Sequence, residues 1–334
     1  MIPSSLIKFC HKIGKNSLLV QGPGGNVSYK NLDVLWIKAS GSWIAHAQHS
    51  NFVPIDLNST LKKVTQKQYD FIPSPLKGYG GIPSIETLMH AVLPQKYVLH
   101  LHAVSPLAQL IKSDFNQIIT DFKNDHLKFS VIKYVHPGPK LAKEIHSVLL
   151  KSPNTDIFFL RNHGIVLGAE SLPQLEKMLH VINHFFNIQP QKTFQNYSGI
   201  AHVPEDLTKV YFPIEDPTCQ QLAMNPFLFA QLKHKWALYP DHVVFLGGSA
   251  YCYRSWEDFF ISANALQNSP NLIFVENVGV FYKRGFSEAM HAQLKCYADV
   301  LIRQEDFSRV QTLSLQNIAE LINWDREKHR LSVN

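Results

Sequence analysis

The stretch Val98-Leu99-His100-Leu101-His102-Ala103-Val104 decides how the rest of the chain is read. Apolar residues alternate around two histidines, the pattern of a strand over Tyr97–Val104 whose successive side chains point to opposite faces. His100 and His102 therefore share a face, with Cα atoms about 6.5–7 Å apart. That separation suits two imidazoles converging on one metal ion, and neutral imidazole is a usual ligand of zinc. Two histidines on a half-exposed strand are equally an ordinary surface feature, so the decision rests on what surrounds them.

Downstream, His163 lies in Arg161-Asn162-His163-Gly164, at the end of the apolar strand Asp156–Leu160. Functional side chains collect at strand ends in α/β folds. Three histidines leave a coordination position open, the arrangement of a catalytic zinc site. Asn-His-Gly also reads as a plain turn, because Asn and Gly both tolerate the left-handed region. Upstream, Pro83-Ser84-Ile85-Glu86 opens a helix predicted over Ser84–Val92, with Ser84 as N-cap and Glu86 in the first turn. Glu86 complements the helix dipole, and near a metal its carboxylate can ligate or move a proton. Ser84 and the N–H groups at this helix start suit a phosphate. The loop Gly22-Pro23-Gly24-Gly25-Asn26-Val27-Ser28 lets backbone N–H groups approach an anion. It lacks the Gly-Lys-Ser/Thr of a P-loop, and no helix follows it.

Composition limits the alternatives. The chain has 334 residues, 45% hydrophobic and 17% charged, which is enough to bury a core and argues against disorder. The net charge is +6, but its Lys and Arg are scattered, with Lys62–Lys63 and Lys283–Arg284 the densest pairs. No basic stripe interleaved with aromatics is present, so an anionic small molecule is expected as partner, not nucleic acid. No apolar run approaches the roughly 20 residues of a membrane span, and the apolar stretch after Met1 is too short for a signal peptide. Cys10, Cys219, Cys252 and Cys296 form no CxxC pair, consistent with free thiols in a reducing compartment. A soluble, cytoplasmic protein that neither spans nor binds membrane is expected.

Organisation follows from periodicity and turn residues. A helix is predicted over the first 15 residues, then three short strands at Ser17–Gln21, Val27–Lys30 and Val34–Lys38. Residues 58–82 read as a loop with one helical turn. Beyond Val104 come a strand at Phe129–Val135, a helix from Pro139 to Leu150, strands at Asp156–Arg161 and Ile165–Leu167, and a helix at Leu172–Phe186. The prolines at 190, 204, 213 and 217 mark a boundary, dividing the chain into 1–195 and a 205–334 α/β extension that packs on or completes the first domain. In the extension, helices are predicted near 219–233, 255–266, 286–304 and 312–330, and strands at His242–Leu246, Asn271–Glu276 and Val278–Tyr282. Helices mixed with strands throughout give an α/β class with a mixed sheet. No internal repeat is evident.

Taken in order, Gly25-Asn26-Val27-Ser28, Lys38-Ala39-Ser40-Gly41, Pro83-Ser84-Ile85-Glu86, His100-Leu101-His102 and Asn162-His163-Gly164 resemble the class II aldolase/adducin family over residues 17–186. The long-chain members, related to the aldolase part of rhamnulose-1-phosphate aldolase/dehydrogenase fusions, are the most alike. Tyr239-Pro240-Asp241-His242-Val243 and Leu272–Tyr282 resemble the tail that those members carry, and the chain is expected to end before any dehydrogenase domain.

The resemblance implies a three-layer α/β/α sandwich around a mixed, mostly antiparallel sheet, commonly a tetramer with active sites at subunit contacts. It implies a zinc or other divalent metal on His100, His102 and His163, with Glu86 as acid/base. Gly25, Asn26, Ser28, Ser40, Gly41 and Ser84 would line the substrate phosphate pocket. The implied reaction is cleavage or formation of a C–C bond in a ketose phosphate or related sugar, through an enediolate, with a sugar phosphate or sugar acid as the small-molecule partner. An epimerase, a dehydratase or decarboxylase, and a non-catalytic adducin-like interaction module share the scaffold. The family often places two donors before the glutamate; here the second is Ile85, which opens non-phosphorylated substrates as well. His136 and His242 are candidates for a supporting role near substrate, against helix caps or turns. The other twelve of the 17 histidines, His46, His49 and His90 among them, read as compositional.

Overall fold

The computed structural model describes residues 2–122, 127–192, 202–265 and 269–324. It divides into two compact units, Met1–Asn187 and Ile188–Ile322, with the following Asn323 and Trp324 grouped with the first.

The first unit contains α1 (Ser4–Gly14), β1 (Asn26–Asn31), β2 (Val34–Lys38), β3 (Phe52–Asp56), α2 (Leu57–Thr65), α3 (Thr87–Val92), β4 (Tyr97–Leu101) and α4 (Val104–Leu110). It continues through α5 (Phe115–Ile118), β5 (Phe129–Ile132), α6 (Pro139–Lys151), β6 (Ile157–Leu160), β7 (Gly164–Ala169) and α7 (Leu172–Phe185). Its seven strands lie in the order β3-β2-β1-β4-β7-β6-β5. Every neighbouring pair is antiparallel except β5 and β6.

Alternation along the strands sorts side chains onto two covered faces. Val27, Leu99, Leu101, Phe159 and Ile165 pack with residues of α1 and α7, such as Phe9 and Met178. Val98, Phe158 and Val166 pack on the other face with Leu88 and Met89 of α3 and Leu141 and Ile145 of α6. The result is the three-layer sandwich with a mostly antiparallel sheet that the resemblance implies. His100 lies on the α3/α6 face, since it pairs with Val166 on one side and with Asn26 on the other.

Several local expectations are corrected. Ser17–Gln21 is a turn, not a strand: Asn16 holds it by accepting from the N–H groups of Leu18, Leu19 and Val20. The third strand of the meander is Phe52–Asp56, whose Pro54 is tolerated because β3 is the last strand at that end of the sheet. The loop expected at 58–82 begins as the helix α2, which Asp56 caps by accepting from Ser59 N. The helix predicted from Ser84 starts at Thr87, so Glu86 occupies the N-cap position and not the first turn.

The second unit contains β8 (Tyr211–Pro213), α8 (Pro217–Met224), α9 (Pro226–Leu232), α10 (Pro240–Leu246), β9 (Cys252–Tyr253), α11 (Trp256–Ala265), β10 (Leu272–Val275), β11 (Gly279–Lys283), α12 (Glu288–Leu301) and α13 (Leu315–Ile322). Its four strands lie in the order β8-β11-β10-β9. Tyr211, Phe259, Ile273, Val275 and Phe281 form its sheet-side cluster. The strand expected at His242–Leu246 is the helix α10. Pro240 fits the first helical position, and Gly247 ends the helix at φ +84°, outweighing the strand preference of Val243 and Val244. The helix expected near 219–233 is broken in two at Asn225-Pro226. Of the last predicted helix, 315–322 is helical and residues 325–330 lie outside the described residues. Among the described residues, no helix is long and apolar enough to cross a membrane.

Candidate metal centre

Strand pairing brings the three histidines together. His100 and His102 project from the end of β4, and His163 from the turn between β6 and β7. Their ligating atoms lie within 4.8 Å of one another, and all three residues are buried. His100 Nδ1 donates to the carbonyl of Ile165 at 2.9 Å, which fixes the tautomer and leaves Nε2 as the ligating nitrogen. That Nε2 is 3.1 Å from His102 Nε2. Nitrogens each about 2.0–2.1 Å from a tetrahedral zinc are separated by about this distance.

Glu86 closes the fourth side. Its Oε2 is 3.4 Å from His100 Nε2, and its Oε1 is 3.6 Å from His163 Nε2. The carboxylate is only 5% exposed, and Oε1 makes no hydrogen bond among the described residues. A buried carboxylate oxygen aimed at three buried imidazoles is a donor set that fits a divalent cation.

A directed chain of hydrogen bonds holds Glu86. Asn26 Nδ2 donates to Glu86 Oε2 at 2.8 Å and to Ser84 Oγ at 3.3 Å. With its nitrogen so engaged, the amide oxygen of Asn26 accepts from His90 Nε2. His90 Nδ1 in turn accepts from Ser28 Oγ at 2.7 Å. These assignments make His90 neutral, and burial, reinforced by Lys30, pushes its pKa well below the ordinary value. His90, read from sequence as compositional, is therefore part of the site. The signal that could have found it is its position one helical turn after Glu86. Replacing His90 with Leu should preserve metal content and KM but lower kcat about 10–100-fold, as for other residues that orient a ligand sphere. His90→Gln, which keeps a donor, should restore part of the rate. Unchanged kcat in His90→Leu would refute this positioning role.

The loops expected to bind anion meet beside this chain. A bridge between Ala39 and Pro83, with Ser40 N donating to the carbonyl of Ile82 at 2.8 Å, sets Ser40-Gly41 next to Pro83-Ser84. Gly25 adopts φ +64°, and a Cβ there would sit 2.7 Å from the carbonyl oxygen of His100. Only glycine permits both. Lys38, which sequence reasoning left without a role, is buried, and its ammonium donates to the carbonyls of Pro23, Ala39 and Ser42. It ties the glycine-rich loop to the 39–42 loop. Ser28 faces His90 and is fully buried.

The two remaining candidates lie elsewhere. His136 is half-buried, with its ring edge-on to Trp324 at 4.4 Å between centroids. His242 belongs to the second unit, where Trp236, Tyr239 and Tyr297 enclose it. Burial pushes its pKa from 6.5 down to about 3. In the folded state it stays neutral, while the unfolded chain takes up a proton below about 6.5. The unfolded state thus binds the extra proton between those values, and stability falls as pH falls through that window. His242 should contribute up to about 1.4 kcal/mol per pH unit there. Thermal melts of His242→Phe between pH 7 and 4.5 should lose less Tm than the wild type. Parallel losses would refute this role.

Comparison with known proteins places residues 4–189 in the family described as Class II Aldolase and Adducin N-terminal domain. Over 175 residues the chain is 28% identical to the uncharacterized oxidoreductase YuxG of Bacillus subtilis, covering 48% of this chain but only 25% of that protein. Over 179 residues it is 24% identical to an L-fuculose phosphate aldolase of Methanocaldococcus jannaschii, covering 52% of this chain and 86% of the relative. Among solved structures, the N-terminal class II aldolase domain of a conserved Thermoplasma acidophilum protein is 27% identical, covers 55% of this chain and 90% of its own, and superposes with a TM-score of 0.47.

Proposed function

Since the chain belongs to the class II aldolase and adducin family, we propose that it is a metal-dependent aldolase, zinc being the expected metal, that cleaves or forms a C–C bond in a ketose phosphate or related sugar. The observation that carries this reading is the buried set His100, His102, His163 and Glu86, with Asn26 hydrogen-bonded to the carboxylate. An interaction module would have no need to gather three buried imidazoles and a buried carboxylate at one point.

The three histidines would hold the cation, which supplies Lewis-acid stabilisation of charge developing on substrate oxygens. Glu86 would take a proton from the hydroxyl whose carbon is released as carbonyl, and return one to the carbon left behind. Asn26 would keep Oε2 engaged so that Oε1 faces the reacting atoms. Gly25, Ser40, Gly41 and Ser84 would receive the anionic end of the substrate through backbone N–H and hydroxyl groups. Ser28 would act through His90. An assembly of several chains, as the family commonly forms, and a cytoplasmic location are part of the same proposal.

The test is product analysis over a panel of ketose phosphates and sugar acids. Release of dihydroxyacetone phosphate plus an aldehyde from a ketose 1-phosphate supports the reading, and Glu86→Gln should lose that turnover while keeping fold and metal. A stereoisomer alone marks an epimerase, and wild-type rates in Glu86→Gln would remove Glu86 from the chemistry.

A further inference from the structure

The sequence shows no repeat, but the backbone does. We infer that residues 211–301 are a second copy of the ligand-bearing half of the first unit, in which Pro213, Glu215 and Val278 stand at the places of His100, His102 and His163.

The strand order β4-β7-β6-β5 of the first unit recurs as β8-β11-β10-β9 in the second. The senses agree pair by pair: antiparallel, antiparallel, parallel. The helices agree as well. α4 follows β4 as α8 follows β8, α6 links β5 to β6 as α11 links β9 to β10, and α7 follows β7 as α12 follows β11. Ser171 caps α7 by accepting from Gln174 N, and Ser287 caps α12 by accepting from Met290 N.

Register makes the match residue by residue. Phe159 pairs with Ile165 and Leu160 with Gly164; Phe274 pairs with Val280 and Val275 with Gly279. Both hairpins turn through an asparagine in the left-handed region, Asn162 at φ 51° and Asn277 at φ 57°. That conformation is uncommon for a non-glycine residue. Asn162 N donates to Leu110 O at the end of α4, and Asn277 N to Ala223 O near the end of α8. His163 N donates to Leu160 O, and Val278 N to Val275 O. On the neighbouring strand His100 pairs with Val166, and Pro213 pairs with the corresponding Phe281. Two residues further on, Glu215 matches His102.

The replacements make physical sense together. β4 is an inner strand, paired on its far side with β1, whereas β8 is the outermost strand of its sheet. Ile214 N donates toward β11, so the nitrogen of Pro213 faces the open edge. Proline there offers no donor to an incoming strand, which is how natural sheets close an edge. Pro213 and Glu215 are exposed, where His100 and His102 are buried. The described residues contain one three-donor metal group, and it is in the first unit. Among the described residues, the second copy thus offers no such group.

The inference is tested by rebuilding the lost site in full-length protein. His100→Ala with His102→Ala silences the first centre, so the outcome does not depend on the proposed activity. Adding P213H, E215H and V278H to that background should create binding of one Co²⁺ per chain, read by metal analysis and by visible absorption absent from the parent. A variant with unchanged circular dichroism that binds no Co²⁺ overturns the equivalence. If opening the edge at Pro213 makes the protein aggregate, E215H/V278H in the same background keeps the proline and should bind Cu²⁺ at least tenfold more tightly than the parent. Equal Cu²⁺ affinity would likewise overturn it.

Discussion

Replacing His100 with Ala should strip the protein of its metal and lower turnover by at least about three orders of magnitude, some 4 kcal/mol of transition-state stabilisation. The effect is large because His100 does two things at once. Its Nδ1 is anchored on the carbonyl of Ile165, so its Nε2 is held in place before any ion arrives. Its Nε2 also contacts both His102 Nε2 and Glu86 Oε2. Alanine removes a ligand and leaves the carboxylate without its nearest imidazole. Metal analysis after dialysis, alongside steady-state rates, checks the prediction. His136→Ala is the control, and should retain full metal. Full metal retention in His100→Ala would refute the ligand assignment.

The second large effect is on stability. Gly164→Ala should destabilise the first unit by about 3 kcal/mol, the upper part of the range for overpacking a filled site. A Cβ on Gly164 would lie 2.3 Å from the carbonyl oxygen of Leu101 and 3.1 Å from Cδ2 of His102. The first neighbour is backbone in the central strand β4 and cannot swing aside. Relief requires β7 to move off β4, which separates His163 from His102. Denaturant melts with and without added Zn²⁺ should therefore show both a lower midpoint and a smaller metal-induced shift. An unchanged midpoint would contradict the packing described here.

Much of the candidate centre is legible in sequence because its proposed ligands carry their own geometry. His-Leu-His on an alternating strand can only present both rings to one face. Asn-His-Gly after an apolar strand marks a tight turn at a strand end. What sequence concealed depends on contacts across the sheet. His90 acquires meaning only through Asn26, 64 positions away in the chain. Lys38 becomes a loop clamp only when β2 places it beneath the carbonyls of Pro23 and Ser42. The His242 segment misled because Val243-Val244-Phe245 has strand propensity, whereas Pro240 and Gly247 set helix ends. The second copy escaped notice because few residues survive in it: the shared Phe159/Phe274, Asn162/Asn277 and Gly164/Gly279 are too sparse to stand out, while pairing register preserves the relation in full.

The path of the chain through the centre has a kinetic consequence. Its parts come from β1, the start of α3, the end of β4 and the β6–β7 turn, and β4 pairs with β1 on one side and β7 on the other. No short segment contains more than two of the histidines. During synthesis, a chain that has not yet released β7 cannot present the full ligand set. Acquisition of an ion by this set would thus be a late event, after the long-range strand contacts that make such topologies slow to form. Ion binding would then act on the completed sheet alone, and by mass action would draw the folding equilibrium toward that form.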